Sequence, residues 1–251
     1  MALSLKMADN KESHVLRDEV RSNSLLNAIL PIDVILETQN TMMATHFSKS
    51  PYWQSLLIIG QSQVQRNGLL FQAALTHASS DKQIMYVMTK EFTRIPPTTH
   101  SLPNVETGNM ANITFKYCQE MKSLEELLIG FCTIPNELLP DVLVVNGLNE
   151  YKRGKGPLSQ FHYSSILSLL SETAEYIGRR KKTTIMLYVS LSLLLALTVE
   201  EQKPWIELFK QWTHEVWILE GNSNRLVSGN IHIQFTVLGS NIFLRTVSKI
   251  D

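Results

Sequence analysis

Four short apolar runs in this chain do not alternate with polar residues: Leu56-Leu57-Ile58-Ile59, Ile84-Met85-Tyr86-Val87-Met88, Asp141-Val142-Leu143-Val144-Val145 and Thr184 to Leu191. A strand with one wet face alternates, whereas a strand that is apolar on consecutive residues is covered on both faces. Between these runs lie segments with helical spacing. They are Gly68 to Leu75, then Leu124, Leu127, Leu128 and Phe131, then Leu158 to Ile177, with Phe161, Ile166, Leu169, Leu170, Thr173, Ala174 and Ile177 on one face. Helices alternating with doubly buried strands predict an α/β fold with a mainly parallel sheet flanked by helices. The C-terminal part differs. Ile231, Ile233, Phe235 and Val237 alternate with polar residues, and Ile242, Leu244 and Val247 do so more loosely, with Gly239-Ser240 between. That is the pattern of an antiparallel hairpin. Ile113 to Tyr117 reads as a short strand, Trp217 to Gly221 as a strand and turn, Gln61 to Asn67 as a polar loop, and Pro96-Pro97 to Gly108 as a longer loop.

The chain has 251 residues, 44% of them hydrophobic, enough for one large core. Residues 1–50 read as an N-terminal extension, partly disordered, and residues 51–251 as the α/β domain. Within the extension, residues 1–23 are polar without a period. Ser24 to Met43 holds LLNAILPIDVIL, interrupted by Pro31, which either docks on the domain or serves an interaction. The 23 Lys+Arg balance the 23 Asp+Glu, so any nucleic-acid contact must come from a local patch. Two cysteines, Cys118 and Cys132, are too few for a disulfide framework and have no metal-ligand spacing with the histidines, so no metal site is expected. No secretory signal is read at the N-terminus. The Asn112-Ile113-Thr114 sequon therefore reads as part of a strand. Thr183 to Val199 is uncharged, but it is shorter than the ~20 residues a membrane helix needs and is read as a buried strand, not a span. Leu193 to Val199 and Trp205, Trp212 and Trp217 exceed what one sheet obviously buries, which points to a partner surface.

The strand ending at Gly60, followed by a loop and a helix, sits where a phosphate-binding loop, G-x-x-x-x-G-K-[ST], would sit. On that frame Gly60 is in place, Gln65 takes the second glycine, Arg66 the lysine and Asn67 the Ser/Thr. Gln65 adds a Cβ where backbone must approach phosphate, and Arg66 is a planar cation in place of a point charge. The run Val142 to Val145 ends in Asn146, where a metal-pairing carboxylate would stand. Two readings stand: an ordinary strand–loop–helix, or a degenerate nucleotide site built from Gly60, Gln65, Arg66, Asn67 and Asn146. Lys152-Arg153-Gly154-Lys155-Gly156 follows the same strand. It is either a solvated loop or a basic loop able to meet phosphates of a single strand, with Tyr151 as the nearest stacking ring. Arg179 to Lys182 reads as helix-end charge, and Glu91 as a minor candidate for polarising a water. No nucleophilic triad has usable spacing, so no catalytic residue is assigned.

The order LLIIGQSQVQRNGLLFQAAL, IMYVMTKE, VLVVNGLNEYKRGKGPLSQ and TTIMLYVSL resembles the RecA-like recombinase core. It is most similar to the ATPase-like subunit that partners the SWIM-domain protein of the Shu complex. Gly68 to Leu75, Phe115 to Tyr117 and Val145 to Tyr151 carry the likeness, which spans roughly residues 55 to 220. The resemblance implies a nuclear role in DNA damage repair by homologous recombination, as a subunit of a mediator that supports recombinase assembly on single-stranded DNA. The implied partners are a SWIM-domain protein, a RecA-like recombinase or its paralogues, and single-stranded DNA, with no membrane. It also raises the DNA reading of Lys152, Arg153 and Lys155. The departures at Gln65, Arg66, Asn67 and Asn146 put hydrolysis in doubt and leave ATP bound weakly or not at all. The alternatives are an architectural RecA-like subunit of a non-recombination assembly, similar to those of Elongator, and a weak ATPase.

Overall fold

The computed structural model of the chain describes residues 25–31, 51–151, 160–192, 199–220 and 224–249. The strands are β1 (Trp53–Gly60), β2 (Ile84–Met88), β3 (Thr98–Thr99), β4 (Ile113–Tyr117), β5 (Val142–Val145), β6 (Ile185–Leu191), β7 (Glu215–Glu220), β8 (Arg225–Ser228), β9 (Ile231–Leu238) and β10 (Asn241–Lys249). The helices are α1 (Gln63–Ala78), α2 (Thr107–Ala111), α3 (Met121–Gly130), α4 (Gln160–Lys181) and α5 (Val199–Phe209). The strands form one sheet of ten in the order β3-β10-β9-β8-β7-β1-β6-β5-β2-β4. From β7 to β4 every pairing is parallel. From β7 to β10 the pairings are antiparallel.

Each apolar run feeds two cores at once. Leu56, Ile58, Tyr86, Val144 and Tyr188 point to one face, where Leu69, Leu70, Ala73 and Ala74 of α1 cover them. Leu57, Ile59, Val87, Leu143, Val145, Leu187 and Val189 point to the other, under α3 and α4. Side chains alternate across a strand, so a run must be apolar at every position to fill both layers. The first core holds a further piece. Leu25–Ala28 forms a 3₁₀ turn, and Leu26 within it and Ile29 and Leu30 just after it are fully buried. Leu25 N–H donates to the Glu215 carboxylate (3.1 Å), the Tyr188 hydroxyl donates to Leu25 O (3.1 Å), and Thr99 Oγ1 donates to Ile29 O (2.7 Å). Of the N-terminal extension, residues 25–31 therefore pack as part of the domain.

Several sequence expectations are corrected. Residues 61–67 are not a loop: α1 begins at Gln63. The stretch from Pro96 to Gly108 contains β3 and the start of α2. Phe161, counted on the buried face of α4, is 75% exposed. Tyr151, offered as a stacking ring, is buried, and burial raises its phenol's pKa. Strand β8 has no counterpart in the sequence reading. Trp217 is buried, whereas Trp205 and Trp212 are half-buried against the second core. Thr184 to Leu191 is the expected buried strand, β6, and no helix among the described residues is long and apolar enough to cross a membrane. Residues 193–198 of the apolar run lie outside the described residues.

Candidate functional site

In a parallel sheet the strand ends point the same way, so the loops after β1, β2, β5 and β6 gather at one edge. Two clefts of about 480 and 660 Å³ lie there. Between β1 and α1 only Gln61 and Ser62 remain outside regular structure. Ser62 is the N-cap of α1, and its Oγ accepts from Gln65 N–H at 3.4 Å, while Arg66 N–H bonds Ser62 O at 3.0 Å. Ser62-x-x-Gln65 follows the pattern of a helix capping box. The backbone N–H groups of Gln65 and Arg66, which a phosphate loop would leave open, are used by the helix itself.

The five residues predicted to hold nucleotide are placed as follows. Gly60 ends β1 against β7, where a Cβ would come within 2.5 Å of Leu219 Cβ, so packing alone requires glycine there. Gln65 turns toward β8 and donates to Asn224 Oδ1. Arg66 is 2% exposed. Its guanidinium folds back to donate to Gly60 O and lies 3.7 Å from Glu150 Oε1. Burial lowers the Arg66 pKa and the Glu150 carboxylate opposes that shift. Asn67 and Asn146 meet: Asn146 Nδ2 donates to Asn67 Oδ1 at 2.9 Å. Ser190 Oγ donates to Asn146 Oδ1 at 2.8 Å and accepts from Gly147 N–H at 2.9 Å. Gly60, Arg66, Asn67 and Asn146 therefore converge on one edge, while Gln65 is drawn aside.

Residues outside the sequence assignment complete this edge. Glu150 accepts from Gln63 Nε2 (3.0 Å) and from Thr89 Oγ1 (3.4 Å). It can reach them because Gly147 adopts φ +67°, and a Cβ there would lie 2.7 Å from Glu150 Oε1. The sequence signal for Glu150 is an acid a few residues beyond a buried strand, which is common enough to carry no weight alone. Lys90 and Glu91 are exposed at the mouth of the clefts, and neither has an ion-pair partner among the described residues. Lys152, Arg153 and Lys155 lie outside the described residues. Arg179, Arg180 and Lys181 are engaged at the end of α4, by Glu175, by Phe131 O and by Leu139 O with Asp141. No group of three metal-ligating side chains occurs among the described residues.

This arrangement does not fit a magnesium nucleotide in the manner of a phosphate-binding loop. The cation at position 66 is turned onto a backbone carbonyl and a carboxylate. The amides at 67 and 146 satisfy each other, and the loop that would wrap phosphate has become the first turn of α1.

No protein family matches the sequence, and no curated protein matches it. Solved structures do match. A KaiC-like protein from the hyperthermophilic archaeon Pyrococcus horikoshii superposes with a TM-score of 0.51 over 77% of this chain and 89% of that one, at 9% identity. The RadB recombinase gives 0.46 over 72% and 78% at 14% identity. A third structure, an isolated ATPase domain, gives 0.43 over 72% and 75% at 10% identity. The fold is the RecA-like α/β fold, with an antiparallel C-terminal extension of the sheet.

Proposed function

We propose that this chain is a non-hydrolysing RecA-like subunit of a homologous-recombination mediator of the Shu type. It works in the nucleus, pairs with a SWIM-domain protein, and supports recombinase assembly on single-stranded DNA. The observation that carries the first half of this reading is the internal satisfaction of the strand-end groups: Arg66 on Gly60 O and Glu150, and Asn146 on Asn67. Phosphoryl transfer depends on preorganised cations and a metal aimed at the developing charge. Here the charged group that occupies the lysine position is already spent on the protein. A RecA-like body that has lost this machinery retains its surfaces, and those suit it to pairing and scaffolding. The second half rests on the sequence resemblance and on the basic loop Lys152, Arg153 and Lys155, placed directly after Glu150 and Tyr151 in the sequence.

The test is affinity purification of the tagged full chain from its own cells, with the bound proteins identified and the complex titrated with single-stranded DNA. Recovery of a SWIM-domain protein in stoichiometric amount, and salt-sensitive DNA binding by the pair, is expected. Recovery of an assembly without a SWIM protein or recombinase, and without DNA affinity, would replace this reading with a purely architectural one.

A further inference from the structure

Strand β10 runs for nine residues, but its outer neighbour β3 pairs only with Asn241 and Ile242. His100 N–H closes that pairing on Ile242 O (2.8 Å), and Ser101 then takes φ +69° as the chain turns off the sheet. From Phe243 to Lys249 no strand lies outside β10 among the described residues, so the sheet ends there in an open backbone edge. Arg245, Thr246 and Ser248 are exposed along it. An open edge is a template for another extended chain. Charge selects which chain. Of 251 residues 23 are acidic, yet residues 221–250 contain no Asp or Glu, while they contain Arg225, Arg245 and Lys249. Arg225 is spent on Glu220 at 2.8 Å. Arg245 donates to a hydroxyl, Thr236 Oγ1 at 3.1 Å, and has no ion-pair partner among the described residues.

We propose that the edge of β10 beyond β3 is a docking site for an extended acidic segment of a partner protein, which joins the sheet as a further strand. The backbone of Phe243 to Lys249 supplies the hydrogen bonds. Carboxylates on the incoming strand meet Arg245, which supplies the selectivity. A second copy of this chain fits worse. Edge-to-edge pairing would set the cations of one β10 beside those of the other, and like charges across a strand pair are destabilising. The bulge between Leu244 and Thr246 also works against self-pairing, because bulges twist an edge away from a flat partner. Side chains alternate across a strand, so the incoming segment meets different surfaces on its two sides. Leu244, half-buried against the first core, lies on one side. Phe243, stacked on the exposed His100 ring at 4.9 Å, lies on the other. The inference rests neither on pairing with a SWIM-domain protein nor on DNA.

The experiment is fluorescence-anisotropy titration of labelled peptides of about ten residues, a common upper length for a strand, with the full chain. One peptide alternates Val and Glu, a second alternates Val and Lys, and a third is the Val/Glu peptide N-methylated throughout, so that it has no backbone donors. The Val/Glu peptide is expected to bind with a Kd of about a millimolar or tighter, at least about tenfold more tightly than the other two. Arg245→Glu, a change at an exposed position, is expected to weaken Val/Glu binding at least about fivefold and to favour the Val/Lys peptide. No binding of the Val/Glu peptide, equal affinity for the two charge patterns, undiminished binding of the N-methylated peptide, or indifference to Arg245→Glu each overturns the proposal. A dimer of the chain in equilibrium sedimentation that the Val/Glu peptide dissociates would give the edge to a second copy. Peptide binding that appears only when residues 32–37 are replaced by glycine and serine would give it to this chain's own segment. Either result overturns the proposal as well.

Discussion

At position 66 an arginine stands where a phosphate-binding lysine would, and its burial decides its chemistry. A buried guanidinium must be paired or it destabilises the fold. Gly60 O and Glu150 meet that need from within the chain. The substitution at 66 is legible in the sequence, but its partner is not, because Glu150 is reached through a tertiary contact and a positive-φ glycine. Gly147→Ala is expected to cost about 1–2 kcal/mol from left-handed backbone alone, with the crowding of Glu150 added, as read by urea unfolding. A change within ±0.5 kcal/mol, the range of an ordinary surface substitution, would show that the turn does not hold Glu150. His77 offers a pH test. Its Nε2 lies 2.8 Å from the Tyr188 hydroxyl, which gives its own proton to Leu25 O, so the ring nitrogen is the donor. Burial, reinforced by nearby Lys82, lowers the His77 pKa to about 4. Unfolded, it would titrate near 6.5. The unfolded state therefore binds the extra proton first, and stability falls as pH drops from about 6.5 to about 4, by on the order of 2–3 kcal/mol from this group. Unfolding free energies measured across that range are expected to flatten in His77→Leu. An unchanged slope would remove His77 as the cause.

The strands and helices legible in the sequence are those marked by an unbroken apolar run or by a clear period. β1, β2, β4, β5, β6, the β9–β10 hairpin, α3 and α4 all declare themselves in the order of apolar residues. β3 is two residues, and β8 is four of which only Leu226 is buried, so neither shows the unbroken apolar run that marks the equally short β5, and each is fixed by its neighbour's register. The start of α1 escapes a reading by period because its polar first turn looks like a loop. Ser62-x-x-Gln65, a capping signal available in the sequence, marks the true boundary. The docking of Leu25–Pro31 is left open by the sequence, since LLNAIL is equally a core turn and an interaction segment. The sheet decides it by offering an apolar slot with three polar anchors. Leu26→Ala is expected to cost about 2–4 kcal/mol, as for a fully buried core leucine, measured by denaturant unfolding of the full chain. A cost below about 0.5 kcal/mol would mean the turn is not part of the folding unit.

On the scale of the whole molecule, the chain is neutral, so any DNA affinity is local and salt-dependent. Neutralising about three phosphates of a single strand at roughly 0.7 each predicts a log–log salt slope near −2. Alanines at Lys152, Arg153 and Lys155 together are expected to flatten that slope and weaken binding. Alanines at Arg179, Arg180 and Lys181 are expected to leave the slope unchanged, because those side chains are held by the fold. The opposite pattern would move the DNA contact to the end of α4. The RecA-like architecture is legible from strand order and spacing, and the departures at Gln65, Arg66, Asn67 and Asn146 from residue identity. What the sequence leaves open is whether the altered residues still form a cradle, which depends on where side chains from β1, β2, β5 and β6 meet. The central claim is that they meet one another instead of a nucleotide. Its most direct measurement is steady-state ATP hydrolysis by the purified full chain with Mg²⁺, with and without single-stranded DNA. No turnover above background is predicted in either condition. A robust Mg²⁺-dependent rate that disappears in Arg66→Ala would contradict the account.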